Sequence, residues 1–157
     1  MTMKDIKLFA SRKKNYTVII GCGRLGANLA SALSDEGSDV MIIDRDGGAF
    51  RRLSPSYGGL SLVADGADLD ALKDAEIGTA SAVSAVTNRD NTNIMVAQMA
   101  RDLFHVDNVI ARLYDPERES VYQEFGIKTI CPAVLSAKEI DKLLSGSAQE
   151  VYRHDEA

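Results

Sequence analysis

Residues 16–26 read YTVIIGCGRLG, an apolar, β-branched run that leads directly into a glycine pattern. The run predicts a buried strand, and Gly21, Gly23 and Gly26 fit the spacing G-x-G-x-x-G. The stretch 25–36 then predicts a helix whose inner side is formed by Leu25, Leu29, Ala32 and Leu33. A strand, a glycine loop and a helix in this order present free N–H groups to an anion. The pattern therefore predicts a phosphate-binding loop, and the alternative is a glycine turn that holds no ligand.

The rest of the chain alternates apolar runs with amphipathic stretches. We predict strands over 16–20, 40–43, 60–64, 80–86, 109–111 and 127–130. Helices are predicted over 25–36, 49–53, 68–74, 91–104, 116–125 and 134–144. The long helix at 91–104 should turn inward Ile94, Ala97, Ala100, Leu103 and Phe104. This alternation predicts an α/β fold with a Rossmann-like, doubly wound parallel sheet of six strands in the order 3-2-1-4-5-6.

Length and composition limit the kind of protein. The 157 residues suit one domain, predicted over 16–145, between a basic lead-in at 1–15 and a polar tail at 146–157. The lead-in is either a solvated extension or a contact for a membrane surface or an acidic partner. A net charge of −5 disfavours nucleic-acid binding, and two cysteines with two histidines offer no metal cluster. No stretch is long and apolar enough to insert into a membrane, so we expect a cytoplasmic protein.

Asp44 ends the second predicted strand, 18 residues after Gly26. An acidic residue at this distance from the glycine loop accepts hydrogen bonds from ribose hydroxyls. A carboxylate there repels a 2′-phosphate and disfavours NADP, although the adjacent Arg45 weakens that exclusion. As the alternative, Asp44 caps the short helix that follows.

Three further groups of residues follow predicted strands or lie in the glycine loop. The Arg24 guanidinium either reaches terminal phosphates or faces solvent. The backbone of Asp65, Gly66 and Ala67 either meets the base or serves the start of the next helix. Thr87 and Asn88 either line the ribose–phosphate or second-nucleoside region or belong to a helix start at Asp90. Cys22 is interpreted as a small buried filler, with a thiolate at the helix N-terminus as the alternative.

Five segments resemble one known family. They are VIIGCGRLGANLA, IIDRD, VADGADLDAL, TNRDNTNIMVAQMARDLF and NVIARLYDPERESVYQEFGIKTICP. They resemble the RCK-N, KTN or Trk-A N-terminal domain, the nucleotide-binding domain of bacterial potassium-transport regulators. The glycine loop is shared with many dehydrogenases, whereas the fourth and fifth segments are far more specific to this family.

The resemblance implies a set of cofactor-binding residues and no catalytic ones. It places phosphates against Gly21, Gly23, Arg24, Leu25 and Gly26, and we include the intervening Cys22. It places the adenosine ribose against Asp44 and Arg45, and the base near Asp65, Gly66 and Ala67. Thr87 and Asn88 match the segment after the fourth strand, and Arg112 matches a basic position whose role we do not assign. Near Gln123 and Glu124 the sequence departs from relatives that bind a metal there, so no metal site is predicted.

The implied function is regulation rather than enzymatic turnover. Members of this family bind NAD(H) or adenine nucleotides (AMP, ADP or ATP) and pass the ligand state to a potassium-translocating membrane subunit. We therefore expect a cytoplasmic regulatory subunit of a Trk- or Ktr-type uptake system, held at the inner face of the membrane through that partner. The alternative is a small NAD-dependent oxidoreductase. Complete regulators continue into a smaller C-terminal domain, so we expect either a stand-alone version or a fragment.

Family members also form dimers, often within larger rings. The last predicted helix permits a homodimer because it is rich in apolar residues, namely Val134, Leu135, Ile140, Leu143 and Leu144. In the alternative, all of these side chains pack within the monomer.

Overall fold

The computed structural model describes residues 15–146, which form one parallel sheet with helices on both faces. The strands are β1 (Thr17–Ile20), β2 (Val40–Asp44), β3 (Leu60–Val63), β4 (Ala82–Ala85), β5 (Asn108–Arg112) and β6 (Lys128–Ile130). The α-helices are α1 (Arg24–Asp35), α2 (Leu69–Asp74), α3 (Asp90–Gln98), α4 (Glu119–Glu124) and α5 (Pro132–Leu144). The strand order is β3-β2-β1-β4-β5-β6, which confirms the predicted Rossmann-like topology.

The register of the sheet brings the carboxyl ends of the central strands together. Ile20 of β1 lies opposite Ile43 of β2 on one side and Ala85 of β4 on the other. All pairings are parallel, so the loops after these strands meet at one edge. The strand order reverses between β1 and β4, and a crevice opens there.

Each face of the sheet has its own apolar core. Ile19 and Ile42 pack with Ala30 of α1 on one face. Ile20 and Ile43 point to the other face and pack in the cluster that also holds Val96 of α3. Successive residues of β1 are therefore buried on opposite sides, which explains why the strand is apolar throughout.

Three predicted helices differ in type from the structure. The helix predicted at 116–125 begins as a 3₁₀ helix, Pro116–Arg118, and is α-helical only in α4. The short helix predicted at 49–53 is a 3₁₀ helix at Gly47–Arg52. The long helix predicted at 91–104 is α-helical only to Gln98 and continues as a π-helical segment, Met99–Leu103. A π turn contains more residues than an α turn, so it shifts the phase of the side chains that follow. Leu103, predicted to face inward, is consequently 58% exposed.

Ala32, predicted on the inner side of α1, is also exposed. The buried residues of that helix are Gly26, Ala27 and Ala30, so the smallest side chains, rather than the leucines, lie closest to the sheet. Leu25, Leu29 and Leu33 are only partly buried against the same core. Small residues on the inner side let the helix approach the sheet closely.

The two helices in the C-terminal part of the described chain are largely exposed to solvent. Neither α4 nor α5 contains a fully buried residue. The described residues of the predicted lead-in and tail are Asn15 and Gly146 alone, and the remainder of both lies outside the structure's described range. Within residues 15–146, no helix has the length and apolar character required to span a membrane.

Candidate functional site

A cleft of approximately 540 Å³ lies at the carboxyl edge of the sheet, between β1 and β4. It gathers eleven of the thirteen residues predicted from sequence, namely Gly21, Cys22, Gly23, Arg24, Asp44, Arg45, Asp65, Gly66, Ala67, Thr87 and Asn88. Leu25 and Gly26 are not among its lining residues. Leu25 packs against the core beneath α1, and Gly26 is buried.

Each of the three glycines in the loop has a different structural role. Gly21 has a φ of +105°, and a Cβ on it would lie 2.9 Å from the backbone nitrogen of Thr87. A Cβ on Gly26 would overlap the carbonyl oxygen of Gly21. Gly23 has open space in front of it and ordinary extended backbone angles. Gly21 and Gly26 are therefore required by the fold, whereas Gly23 keeps the cleft side of the loop clear.

The N-terminus of α1 faces this cleft without a protein partner of its own. Its N-cap is Gly23, no side chain caps it, and no acidic residue lies in its first turn. The first amides of an α-helix have no acceptor within the helix, and the helix dipole makes that end electropositive. The loop is therefore suited to an anionic group such as a pyrophosphate.

Asp44 is fixed by two backbone amides. Cys22 donates to Oδ2 at 2.7 Å and Asp46 donates to Oδ1 at 2.8 Å. The next helix is capped by Asp46 instead, whose Oδ1 accepts from the Gly48 amide at 2.8 Å. Each Asp44 oxygen has one remaining lone pair, so the carboxylate can accept further hydrogen bonds while its link to Cys22 holds the glycine loop.

Cys22 is fully buried, and its Sγ donates to the carbonyl of Ala49 at 3.4 Å. Burial raises the pKa of this thiol, and the Asp44 carboxylate raises it further, against an opposing effect of Arg52. The protonated thiol is therefore favoured, and the structure supports the interpretation of Cys22 as a filler rather than a thiolate.

The turn after β3 is organised by its own aspartates. Asp65 accepts from the amide of Ala67 at 2.9 Å, and Asp68 caps α2 by accepting from Asp70 at 2.9 Å. The helix start therefore uses Asp68, and Asp65 remains half-exposed in the cleft, 3.9 Å from Arg45. This exposed ion pair contributes little to stability.

The wall opposite Asp44 depends on Asn93, which the sequence analysis did not single out. Its Oδ1 accepts from the Thr87 amide at 2.8 Å and from the Thr87 hydroxyl at 2.6 Å. Its Nδ2 donates to the carbonyls of Thr87 and Arg112, both at 3.0 Å. Asn93 is completely buried, and its hydrogen bonds join the end of β4 to the end of β5.

Asp90 makes a second link in the same wall. Its two carboxylate oxygens accept from the amides of Tyr114 at 2.9 Å and Asp115 at 3.3 Å. Asp90 and Asn93 are three residues apart and therefore face the same side of α3, which was the signal available in the sequence. The TNRDNTN and ARLYDPE segments, which carried the resemblance, are thus hydrogen-bonded to each other.

The cleft is rich in arginine although the chain is acidic. Five arginines line it, against three aspartates, whereas the net charge of the whole chain is −5. The arginines are Arg24, Arg45, Arg52, Arg89 and Arg112, and the aspartates are Asp44, Asp46 and Asp65. Sequence reasoning left Arg112 unassigned and did not bring Arg52 or Arg89 to the cleft. The local excess of positive charge favours an anionic ligand.

The fold, the glycine loop and the placement of Asp44 define a Rossmann-like domain of the nucleotide-binding class. The model of the TrkA-N domain family matches residues 17–132, and the chain belongs to this family.

Relatives and solved structures agree with that membership. The chain is 45% identical to the Trk system potassium uptake protein TrkA of Streptomyces coelicolor, over 88% of this chain and 62% of the relative. It is 26% identical to the GsuK channel in a structure bound to NAD, with a TM-score of 0.71 over 87% of this chain and 24% of that one. The TrkA-N domain of the inner membrane protein ybaL from Escherichia coli shares the fold, at 18% identity and a TM-score of 0.73, over 83% of this chain and 96% of that one. This chain thus spans less than two thirds of the Streptomyces relative.

Proposed function

We propose that this chain is the nucleotide-sensing domain of a regulatory subunit for a potassium uptake system of the Trk or Ktr type. The name of the Streptomyces relative, a potassium uptake protein, supports the assignment to potassium uptake. On this proposal the domain works in the cytoplasm, at the inner face of the membrane, beside a potassium-translocating membrane subunit. Its task is to bind a ligand and change the state of its partner rather than to turn over a substrate.

The ligand is NAD(H) or an adenine nucleotide bound in the cleft between β1 and β4. The observation that carries this assignment is the Asp44 carboxylate, held 2.7 Å from the Cys22 amide of the glycine loop. One ligand can then place its phosphates at the N-terminus of α1 and its ribose hydroxyls on Asp44. The NAD bound to the related GsuK channel supports the same class of ligand.

Calorimetric titration with AMP, ADP, ATP, NAD and NADH tests the proposal. We expect at least one of these ligands to bind with a Kd below about 1 mM, equivalent to about 4 kcal/mol. Gly23→Ala should weaken binding at least about tenfold while leaving stability unchanged, because its Cβ meets no protein atom within 4 Å. Arg51→Gln is the control, since this exposed arginine is not among the cleft-lining residues.

The absence of binding for all five nucleotides would reject the proposal. Oxidation of NADH that depends on an added substrate would support the oxidoreductase instead. A Gly23→Ala variant that binds as well as the wild type would place the ligand elsewhere on the molecule.

A further inference from the structure

We propose that Ser56 is a phosphorylation site, and that its phosphorylation releases the 53–59 loop from α1. This loop connects the 3₁₀ helix Gly47–Arg52 to β3. The modifying enzyme is a protein serine kinase that recognises arginines on the N-terminal side of its target. Ser56 is not among the residues that line the cleft, so the inference stands apart from the proposed function and its ligand.

The first observation is that Ser56 is accessible to a modifying enzyme. The stretch 51–56 reads RRLSPS, in which Arg51, Arg52 and Ser56 are exposed. Surface loops are the segments that other proteins reach most readily. Ser54 is only partly exposed, and its hydroxyl accepts from the Ser56 amide at 3.3 Å. Exposure therefore selects Ser56 rather than Ser54 as the target.

The second observation is the charge pattern along this segment. Arg51 and Arg52 precede Ser56 by five and four residues, and the 53–59 loop itself, LSPSYGG, contains no acidic residue. Kinases select their substrates partly by complementary charge, and guanidinium groups pair well with carboxylates of a partner. The segment therefore suits a kinase whose substrate-binding surface is acidic.

The third observation is that the Ser56 hydroxyl helps to hold the loop on α1. It donates to Oδ1 of Asp35 at 2.9 Å, and its oxygen lies 2.9 Å from the hydroxyl oxygen of Ser54. A phosphate ester on Ser56 has no hydroxyl proton, so phosphorylation removes the donor to Asp35.

Two further hydrogen bonds complete this contact between the loop and the helix. The amide of Ser54 donates to Oγ of Ser31 at 3.1 Å, and the amide of Gly58 donates to Oγ of Ser34 at 2.9 Å. Ser31, Ser34 and Asp35 are spaced three or four residues apart and so form one row along α1. The loop is thus held by polar contacts at the surface of the molecule, which a local change of charge can break.

A phosphate on Ser56 would meet negative charge at the C-terminal end of α1. The last turn of this helix reads ALSD, with Asp35 and without a basic residue, and Glu36 follows as the C-cap. The helix dipole adds a partial negative charge at the same end. A phosphoserine carries a charge of about −1.5 to −2 at pH 7, so it is repelled there and the loop separates from α1.

The chemical step is a phosphoryl transfer from ATP. Oγ of Ser56 forms a bond to the γ-phosphorus, and the bond from that phosphorus to the oxygen bridging the β- and γ-phosphates breaks. ADP leaves with that oxygen, and the hydroxyl proton passes to the catalytic base of the kinase.

Phosphorylation of the full chain in vitro tests the site. The probe is a purified arginine-directed serine kinase with Mg²⁺ and ATP, and tandem mass spectrometry quantifies each serine separately. We expect Ser56 to be the most modified serine of residues 15–146, about tenfold or more above Ser120. Ser120 is the matched control, because it is exposed and follows Arg118 by two residues but lies inside α4.

Hydrogen exchange tests the release of the loop. In the phosphorylated chain, the amides of Ser54 and Gly58 should exchange about tenfold faster or more, because they lose their acceptors on α1. Ser56→Ala removes one hydrogen bond without adding charge, and it should accelerate exchange less than about threefold. Asp35→Asn in the phosphorylated chain removes the like charge and should restore part of the protection.

The two measurements can fail separately. Modification mainly at Ser54 or Ser120, or none at Ser56, would overturn the assignment of the site. Modification at Ser56 with unchanged exchange at Ser54 and Gly58 would overturn the release of the loop. Thermal melting of the phosphorylated chain should show the transition of a folded domain, and global unfolding instead would contradict a local release.

Discussion

At the scale of single residues, the Asp44 carboxylate and the buried Asn93 side-chain amide each hold one side of the cleft together. Asp44 accepts from the amides of Cys22 and Asp46, which links the glycine loop to the segment after β2. Asn93 accepts from and donates to Thr87 and also donates to Arg112. In both cases one side chain satisfies backbone groups of separate segments, so the wall is defined before any ligand arrives.

The first prediction concerns Asn93. Asn93→Ala should lower the free energy of unfolding by about 3 kcal/mol, because it leaves buried polar groups of Thr87 and Arg112 without partners. Chemical denaturation followed by circular dichroism measures this change. Asn91→Ala on the same helix is the control, since Asn91 is exposed and should cost no more than about 0.5 kcal/mol. Equal losses in the two variants would contradict the role assigned to Asn93.

At the scale of elements, two tyrosine hydroxyls link loop or strand-leading segments to neighbouring elements. Tyr16 donates to the carbonyl of Ala75, just after α2, at 2.6 Å. The Tyr57 hydroxyl donates to the carbonyl of Leu60 at 2.7 Å, at the start of β3, and lies 3.2 Å from the carbonyl of Val40, at the start of β2. Burial raises the pKa of both phenols above their ordinary value, and Glu76 adds to the effect on Tyr16.

The second prediction is a loss of stability at alkaline pH. A phenol with a raised pKa in the folded state favours folding only while it is protonated, so this contribution is complete below about pH 10 and declines above it. The decline for Tyr16 should approach about 1.4 kcal/mol per pH unit. Denaturation measured between pH 8 and about pH 11.5 should show a shallower decline for Tyr16→Phe.

The tyrosine experiment has an internal control. Tyr114 is 52% exposed, and Tyr114→Phe should leave the alkaline decline as it is in the wild type. Tyr57→Phe should reduce the decline less than Tyr16→Phe, because Tyr57 is only partly buried. An unchanged decline in Tyr16→Phe would mean that other groups determine alkaline unfolding.

At the scale of the whole molecule, the C-terminal helix presents apolar side chains that the described chain does not cover. In α5, Leu135, Ile140 and Leu143 are 49%, 56% and 48% exposed, and Leu144 is 83% exposed. Val121 and Phe125, in and next to α4, are also about half exposed, at 51% and 50%. The alternative in which all apolar side chains of α5 pack within the monomer is therefore not supported for Leu135, Ile140, Leu143 and Leu144, which residues 15–146 leave exposed. Exposed apolar side chains favour association, which supports the expected homodimer or ring.

The third prediction is that α5 contributes to self-association. Ile140→Asp should convert a dimer or larger assembly to a smaller species, because a desolvated carboxylate disfavours an apolar interface. Sedimentation velocity over about 1–100 µM measures the change as a shift in apparent dissociation constant of tenfold or more, equivalent to about 1.4 kcal/mol. Lys138→Asp is the control, since it lies two residues earlier, on the opposite side of the helix. A wild-type chain that stays monomeric throughout would reject the prediction.

The amino-acid sequence determined those features that depend on near neighbours along the chain. The alternation of strands and helices, the parallel order 3-2-1-4-5-6, the glycine loop and the position of Asp44 were all predictable. They follow from apolar periodicity, from glycine spacing and from the rule that parallel strands end at one edge, which are properties of short segments.

Tertiary structure alone decided which distant residues meet. Thr87, Asn93 and Arg112 come together because β4 and β5 pair in register and Asn93 bonds to the ends of both. The π-helical segment that exposes Leu103, and the uncovered side of α5, likewise depend on how the elements fit together. Their physical reason is the same: burial and hydrogen-bond pairing are set by neighbours in space, and a sequence pattern specifies only neighbours along the chain.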